Sequence, residues 1–92
     1  MNDSLRILLR RFFPPLFSIN IVDGHARGVK GTLTSAFLRD CTEIAGKNGI
    51  SSGWIWGHAA SGSVRLEFTS GITRENMQRF RNAAGIHGFG SR

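Results

Sequence analysis

One cysteine, three histidines and six carboxylates are the side chains from which this 92-residue chain could build a reaction centre. Cys41 with His25 or His58 would supply a nucleophile and its base. Cys41, however, falls on the apolar stripe of what reads as a helix, where a thiol is buried and structural rather than reactive. His25, His58 and His87 share no ligand spacing, and a zinc site normally wants four donors. Asp23, Asp40, Glu43, Glu67 and Glu75 show no converging pair. Asp23 is explained by a turn, and Glu75 by the first turn of a helix. No GxxxxGK[ST] loop occurs, and the "GFG" at 88–90 has no strand before it in the right place. The sequence therefore predicts a protein that is not an enzyme, with no catalytic residue, no metal and no cofactor.

Two other features are suited to binding. The stretch "SSGWIWGHAASGSVRLEF" (51–68) holds both tryptophans, two residues apart, with His58 two further on. Twelve basic residues against six acidic give a net charge of +6, and ten of the twelve are arginine. Arginine suits bidentate phosphate contact and base stacking. The candidate anion or nucleic-acid contacts are Lys30, Arg65, Arg74, Arg79 and Arg81. Arg74 and Arg81 fall on one side of a helix with Arg79 beside them, while Lys30 and Arg65 would join from a sheet. The plain alternative is a solvated basic surface. Small sheet domains bind single strands by stacking bases on outward aromatics. Nucleic-acid binding of that kind depends on which way Trp54 and Trp56 point; without them it would be electrostatic and weakly specific.

The elements that would position these residues fit one domain. Apolar residues make up 40% of the chain and charged residues 20%, a globular balance. A chain this long buries roughly 60–65% of its unfolded surface. A single cysteine allows no internal disulfide and fits a reducing, cytoplasmic setting. At the start, Leu5, Leu8, Leu9 and Phe12 recur at helical spacing with Arg6 and Arg10 off the stripe, and Pro14-Pro15 ends the run. The segment is too short and too charged for a transmembrane helix or a secretory signal. It reads as a basic amphipathic helix over 1–15 that folds back onto the domain or packs against a second copy as the candidate self-association element, with association to an anionic membrane surface as its other use.

Beyond Pro15 the chain repeats at an offset of 39 residues, "LTSAFLRDCTEIAGKNGI" (33–50) against "ITRENMQRFRNAAGIHGF" (72–89). Thr34 and Thr73 are N-caps. Leu33 with Leu38, and Ile72 with Met77, have the spacing of a hydrophobic staple. Gly46 and Gly85, or the later glycines, supply left-handed C-terminal residues. Helices are expected over 35–47 and 74–84, each preceded by a hairpin. The fold class is α+β: a tandem ββα repeat over 16–89, its four-stranded antiparallel sheet carrying two helices on one face. Residues 90–92 are a tail.

Hairpin register decides the tryptophans, because a slip of one residue exchanges the two faces. A two-residue Ser61-Gly62 loop would pair Ala60 with Ser63 and leave Trp54, Trp56 and His58 on the open face beside Arg65 and Glu67. A three-residue Ala60-Ser61-Gly62 loop pairs Ala59 with Ser63 and turns Trp54, Trp56 and His58 against the helices. The glycine position favours the second, as a type I turn followed by a left-handed glycine. A Val22-Asp23-Gly24 loop brings Phe17 opposite Val29 in the same way. The expected open face is then Ser18, Asn20, Ala26, Gly28, Lys30, Gly53, Ile55, Gly57, Arg65 and Glu67, with His25 and Arg27 pointing inward.

The motifs "SGWI" (52–55), "VRLEF" (64–68) and "QRFRN" (78–82), with the "VDG…VKG" hairpin before them, resemble an uncharacterised family of small bacterial proteins. Its members often carry a hydrophobic N-terminal segment, whereas the one here is shorter and broken by arginines. The resemblance covers about residues 17 to 84 and implies no activity. The function expected is a non-catalytic, self-associating interaction module acting as a homo-oligomer, without a small-molecule substrate. Nucleic-acid binding and peripheral membrane binding are the alternatives.

Overall fold

Two hairpins, each followed by a helix, make up residues 14–89, the part of the chain that the computed structural model describes. The order is β1 (Phe17–Val22), β2 (His25–Lys30), α1 (Ser35–Lys47), β3 (Ser52–Ala60), β4 (Ser63–Phe68) and α2 (Arg74–Ile86). The strands form one antiparallel sheet in the order β2-β1-β3-β4. Both helices pack on the same side of it, so the architecture is α+β. The expected N-terminal helix, including Leu5, Leu8, Leu9 and Phe12, lies outside the described residues, as does the tail over 90–92.

Helix boundaries follow from caps. Thr34 Oγ1 accepts from the Phe37 N–H at 3.1 Å, and Thr73 Oγ1 from the Asn76 N–H at 3.2 Å. The stops are left-handed Gly49 and Gly88. Beyond them the Ile50 N–H donates to the Ala45 carbonyl and the Phe89 N–H to the Ala84 carbonyl, both at 2.9 Å. These bonds satisfy carbonyls that a helix end would leave open. Because the stop is Gly88 and not Gly85, α2 runs to Ile86, two residues past the expected end.

Both hairpins differ from the expected register. Asp23 (φ 51°) and Gly24 (φ 77°) form a two-residue turn with both residues left-handed, pairing Val22 with His25. That geometry matches the twist of the flanking strands, and Asp-Gly tolerates it. A bulge between Ser18 and Ile19 makes Ser18 face Lys30 and Ile19 face Gly28, so Phe17 is not opposite Val29. His25 and Arg27 consequently point away from the helices, and Ala26 and Gly28 towards them. Leu33 and Leu38 of the α1 side lie within 3.1 and 3.6 Å of where a Cβ on Gly28 would stand. Thr42 of α1 accepts from the Ala26 N–H at 2.9 Å, which blunts this edge strand against pairing with another chain.

In the second hairpin Ala60 pairs with Ser63, Ala59 with Val64 and His58 with Arg65. The loop is Ser61-Gly62, with Gly62 left-handed at φ 70°. A left-handed glycine at the second loop position serves a two-residue turn as well as it serves a three-residue one, so it could not decide the register. Packing decides it. Ile55 and Gly57 turn inward with Leu66 and Phe68, alongside Phe17, Ile19 and Ile21 of β1. From the helices come Phe37, Cys41 and Ala45, then Phe80, Ala83 and Ala84. Phe37, Phe80, Ile19, Ile21 and Ile55 are fully buried, and each such side chain stabilises the fold by about 1.5–3 kcal/mol. Phe89 docks on the same core, with its ring 5.2 Å from Phe17 and 5.0 Å from Phe37.

Gly57 holds this arrangement together. A Cβ there would stand 2.2 to 2.7 Å from ring atoms of Phe17, which lies flat across the glycine from the neighbouring strand. No side chain fits without displacing that ring. We expect Gly57→Ala to lower stability by about 1–3 kcal/mol, the usual cost of overpacking. Urea denaturation followed by circular dichroism measures it, and an unchanged midpoint would contradict the packing described.

Candidate interaction surface on the outer sheet face

Alternation along β3 places Gly53, Ile55 and Gly57 against the helices and Trp54, Trp56 and His58 on the opposite, outer face. This reverses the expected inward orientation of the tryptophans. The cause is the register: with two loop residues instead of three, every β3 side chain changes sides. Ser18 and Asn20 from β1, Arg27 and Lys30 from β2, and Arg65 and Glu67 from β4 share the face with them. Ala26, Gly28, Gly53, Ile55 and Gly57, expected there, point the other way.

The two indoles lie parallel, their planes 1° apart and their centroids 6.0 Å apart. Offset parallel stacking of this kind adds about 0.5–1.5 kcal/mol beyond burial. Trp56 stands between Ser18 on β1 and Glu67 on β4. It is 3% exposed and Ser18 is 7% exposed, although both helices lie on the other side of the sheet. Trp54 is half-buried at the end of the pair. His58 Nε2 lies 2.9 Å from Glu67 Oε1 across the strands, both side chains largely shielded. The surface is therefore aromatic at its centre, with Arg27 and Lys30 on one edge strand and Arg65 on the other.

The five candidate anion contacts do not converge. Lys30 and Arg65 are exposed on the outer face, whereas Arg74, Arg79 and Arg81 belong to α2 behind the sheet. Arg74 is exposed in the first turn. Arg79 donates to Asn76 Oδ1 at 2.8 Å and lies 3.8 Å from Glu75. Arg81 sits with its guanidinium carbon 5.5 Å from the centre of the Phe68 ring, a cation–π contact that commits it to the fold. Sequence spacing missed this division because it shows which residues share a helix side, not which layer that helix covers.

The residues from which a reaction might have been built are also apart. Cys41 is fully buried in the core, with burial and the adjacent Asp40 charge pushing its thiol up to about 12. His25 is exposed on β2, and His58 faces outward. His87 meets Asp40 at 2.6 Å and lies against the Phe37 ring, tying the end of α2 to α1. Among the described residues, no three or more His, Cys, Asp and Glu side chains come together to hold a metal ion. A groove of about 360 Å³ between the helices is lined by Asp40, Glu43, Lys47, Arg79 and the exposed Ile86. Glu43 and Lys47 pair with each other there at 2.7 Å. Among the described residues, no helix is long and apolar enough to cross a membrane.

These features define an α+β domain with one sheet face covered by helices and an aromatic pair on the other. The chain belongs to the family described as "Protein of unknown function (DUF3634)", which matches residues 7–91. No curated protein and no solved structure matches it.

A thiol held at about 12 by burial is protonated throughout the neutral and mildly alkaline range. Native protein at pH 8 is expected to leave an aromatic disulfide reagent unreacted, and to react stoichiometrically once unfolded in guanidinium. Rapid reaction of the native form would place Cys41 at the surface.

Proposed function

We propose that this protein is a non-catalytic, self-associating interaction module whose working surface is the outer sheet face. The observation that carries this reading is the stacked pair Trp54 and Trp56, standing on the face turned away from both helices. Large aromatic side chains gathered on one surface, rimmed by arginine and lysine, have the composition of an interface centre. The element that suits this surface is the apolar stripe Leu5, Leu8, Leu9 and Phe12, which a chain in water does not leave bare. One copy would seat that stripe on the face of another, giving a homo-oligomer. The ββα order, with matching caps on the two helices, supports reading the domain as a tandem repeat that shares one core. A single cysteine, which allows no internal disulfide, accords with a cytoplasmic setting, and the basic stripe-bearing segment with transient contact to an anionic membrane surface.

Sedimentation equilibrium of the full chain tests the first reading. The weight-average mass is expected to rise as the concentration approaches a millimolar, and Trp54→Glu is expected to abolish the rise. Strict monomer in the wild type, or association indifferent to Trp54→Glu, would set it aside.

A second reading is favoured by the outward register itself. Trp54 offers a stacking surface between basic edges formed by Arg27, Lys30 and Arg65, the arrangement by which sheet domains hold single-stranded nucleic acid. Retention on heparin or single-stranded DNA that falls with salt is then expected to weaken on changing Lys30 and Arg65 to Glu. Changing Arg79 and Arg81 is expected to matter little. Equal sensitivity at both pairs would mean a diffuse basic surface and no site.

A further inference from the structure

The outer face is built in rows that cross the strands. Asn20 pairs with Arg27 on one side and with Trp54 on the other, and Val22 pairs in the same way with His25 and Ser52. Towards the opposite end, Ser18 lies between Lys30 and Trp56. The two indoles are parallel with centroids 6.0 Å apart. That spacing is close to the rise of two strand residues, about 6.6–6.8 Å, so the rings are stacked along β3. One ring face of Trp54 is therefore taken by Trp56, and the other looks along the strand towards Ser52. Ser52 is small and exposed, and Val22 and His25 in its row are exposed too. The ladder of rings has an open third rung above that row.

The groups around the rung suit one kind of ligand. Trp54 is half-buried, which leaves part of its indole accessible. Among the described residues, neither the Asn20 amide nor the Arg27 guanidinium is committed to another side chain. An amide can donate and accept at once, and a guanidinium forks onto phosphate. Arg27 and Lys30 continue along β2 as exposed cations, whereas Glu67 stands on β4 at the far edge of the sheet and Asp23 in the turn beyond Val22. We propose that the third rung takes a base of a single-stranded nucleic acid. The base lies flat on the open ring face of Trp54, Asn20 hydrogen-bonds its edge, and Arg27 and Lys30 hold the flanking phosphates. The inference rests on the nucleic-acid reading of the outer face and adds the place of one base and the residue that reads it. Stacking accepts any base; a hydrogen bond to the base edge is what discriminates.

The test titrates the full chain at low salt with a mixed-sequence single-stranded DNA octamer, beside an abasic octamer carrying the same phosphates, and follows tryptophan emission. The octamer is expected to quench the emission and to bind about tenfold or more tightly than the abasic strand, as stacking of one base supplies. Equal affinity overturns the base site and leaves phosphate contacts alone. No binding of either strand overturns the nucleic-acid reading together with it. Ser52→Phe fills the rung from the protein itself. It is expected to bring octamer affinity down to that of the abasic strand, while retention on heparin, which reports charge alone, stays as in the wild type. Undiminished octamer binding by this variant overturns the proposal. Should Ser52→Phe fail to fold, Asn20→Ala answers instead: a several-fold loss of octamer affinity at unchanged heparin retention is expected, and no loss overturns the proposal. Adenosine monophosphate separates a strand from a free nucleotide. The octamer is expected to bind about tenfold or more tightly than the monophosphate because it adds phosphate contacts, and equal affinity overturns a strand as the ligand.

Discussion

The missing side chain at Gly57 is the constraint on which the rest of the structure depends. Phe17 lies across that position so closely that a Cβ would stand 2.2 Å from its ring. The contact fixes which residues of β3 face inward, because Gly57 must lie beneath the ring, and Ile55 follows two residues away. It joins the two hairpins, since Phe17 belongs to β1 and Gly57 to β3. It also brings Phe17 against Phe37 and Phe89, at 6.4 and 5.2 Å, so that the helix side closes over the same point. Once Gly57 faces the core, alternation leaves no choice for Trp54, Trp56 and His58. An aromatic surface on the outer face is thus a consequence of a glycine on the inner one.

The helices were legible in the sequence because their signals are local. Thr34 and Thr73 cap neighbouring N–H groups, and Gly49 and Gly88 stop the chain within one turn. Strand existence was legible too, from alternation and turn residues. Register was not. It depends on contacts between strands far apart in sequence, such as Phe17 with Gly57, and local turn chemistry admits both answers at Gly62. Asp23-Gly24 carried the clearer signal, since an Asp-Gly pair in two left-handed conformations defines a two-residue loop. Giving that signal its full weight would have turned His25 and Arg27 outward. The inward placement of two charged-type side chains was itself a sign of the wrong register. The orientation of the candidate site is equally illegible from local signals, because its aromatic centre stands on β3, whose register they leave open.

Charge is divided between layers rather than gathered into one patch. Arg79 and Arg81 of α2 are committed to Asn76, Glu75 and the Phe68 ring. Lys30 and Arg65 remain exposed, on the far side of the sheet and on opposite edge strands. A net charge of +6 therefore describes the whole surface without marking a phosphate site. The titratable groups closest to chemistry are spent on structure: Cys41 fills the core between the helices and the sheet, and His87 with Asp40 joins the helix ends. The outer face itself has an aromatic centre, Trp54 and Trp56, within a polar rim of Arg27, Lys30 and Arg65.

The most direct test of the account is the register of the second hairpin by nuclear Overhauser contacts between backbone protons of β3 and β4. The structure predicts cross-strand contacts joining Trp56 with Glu67, His58 with Arg65 and Ala60 with Ser63. Contacts joining Trp56 with Leu66 and His58 with Val64 would mean a loop one residue longer. The tryptophans would then lie in the core, and the outer face would have no aromatic centre to bind anything.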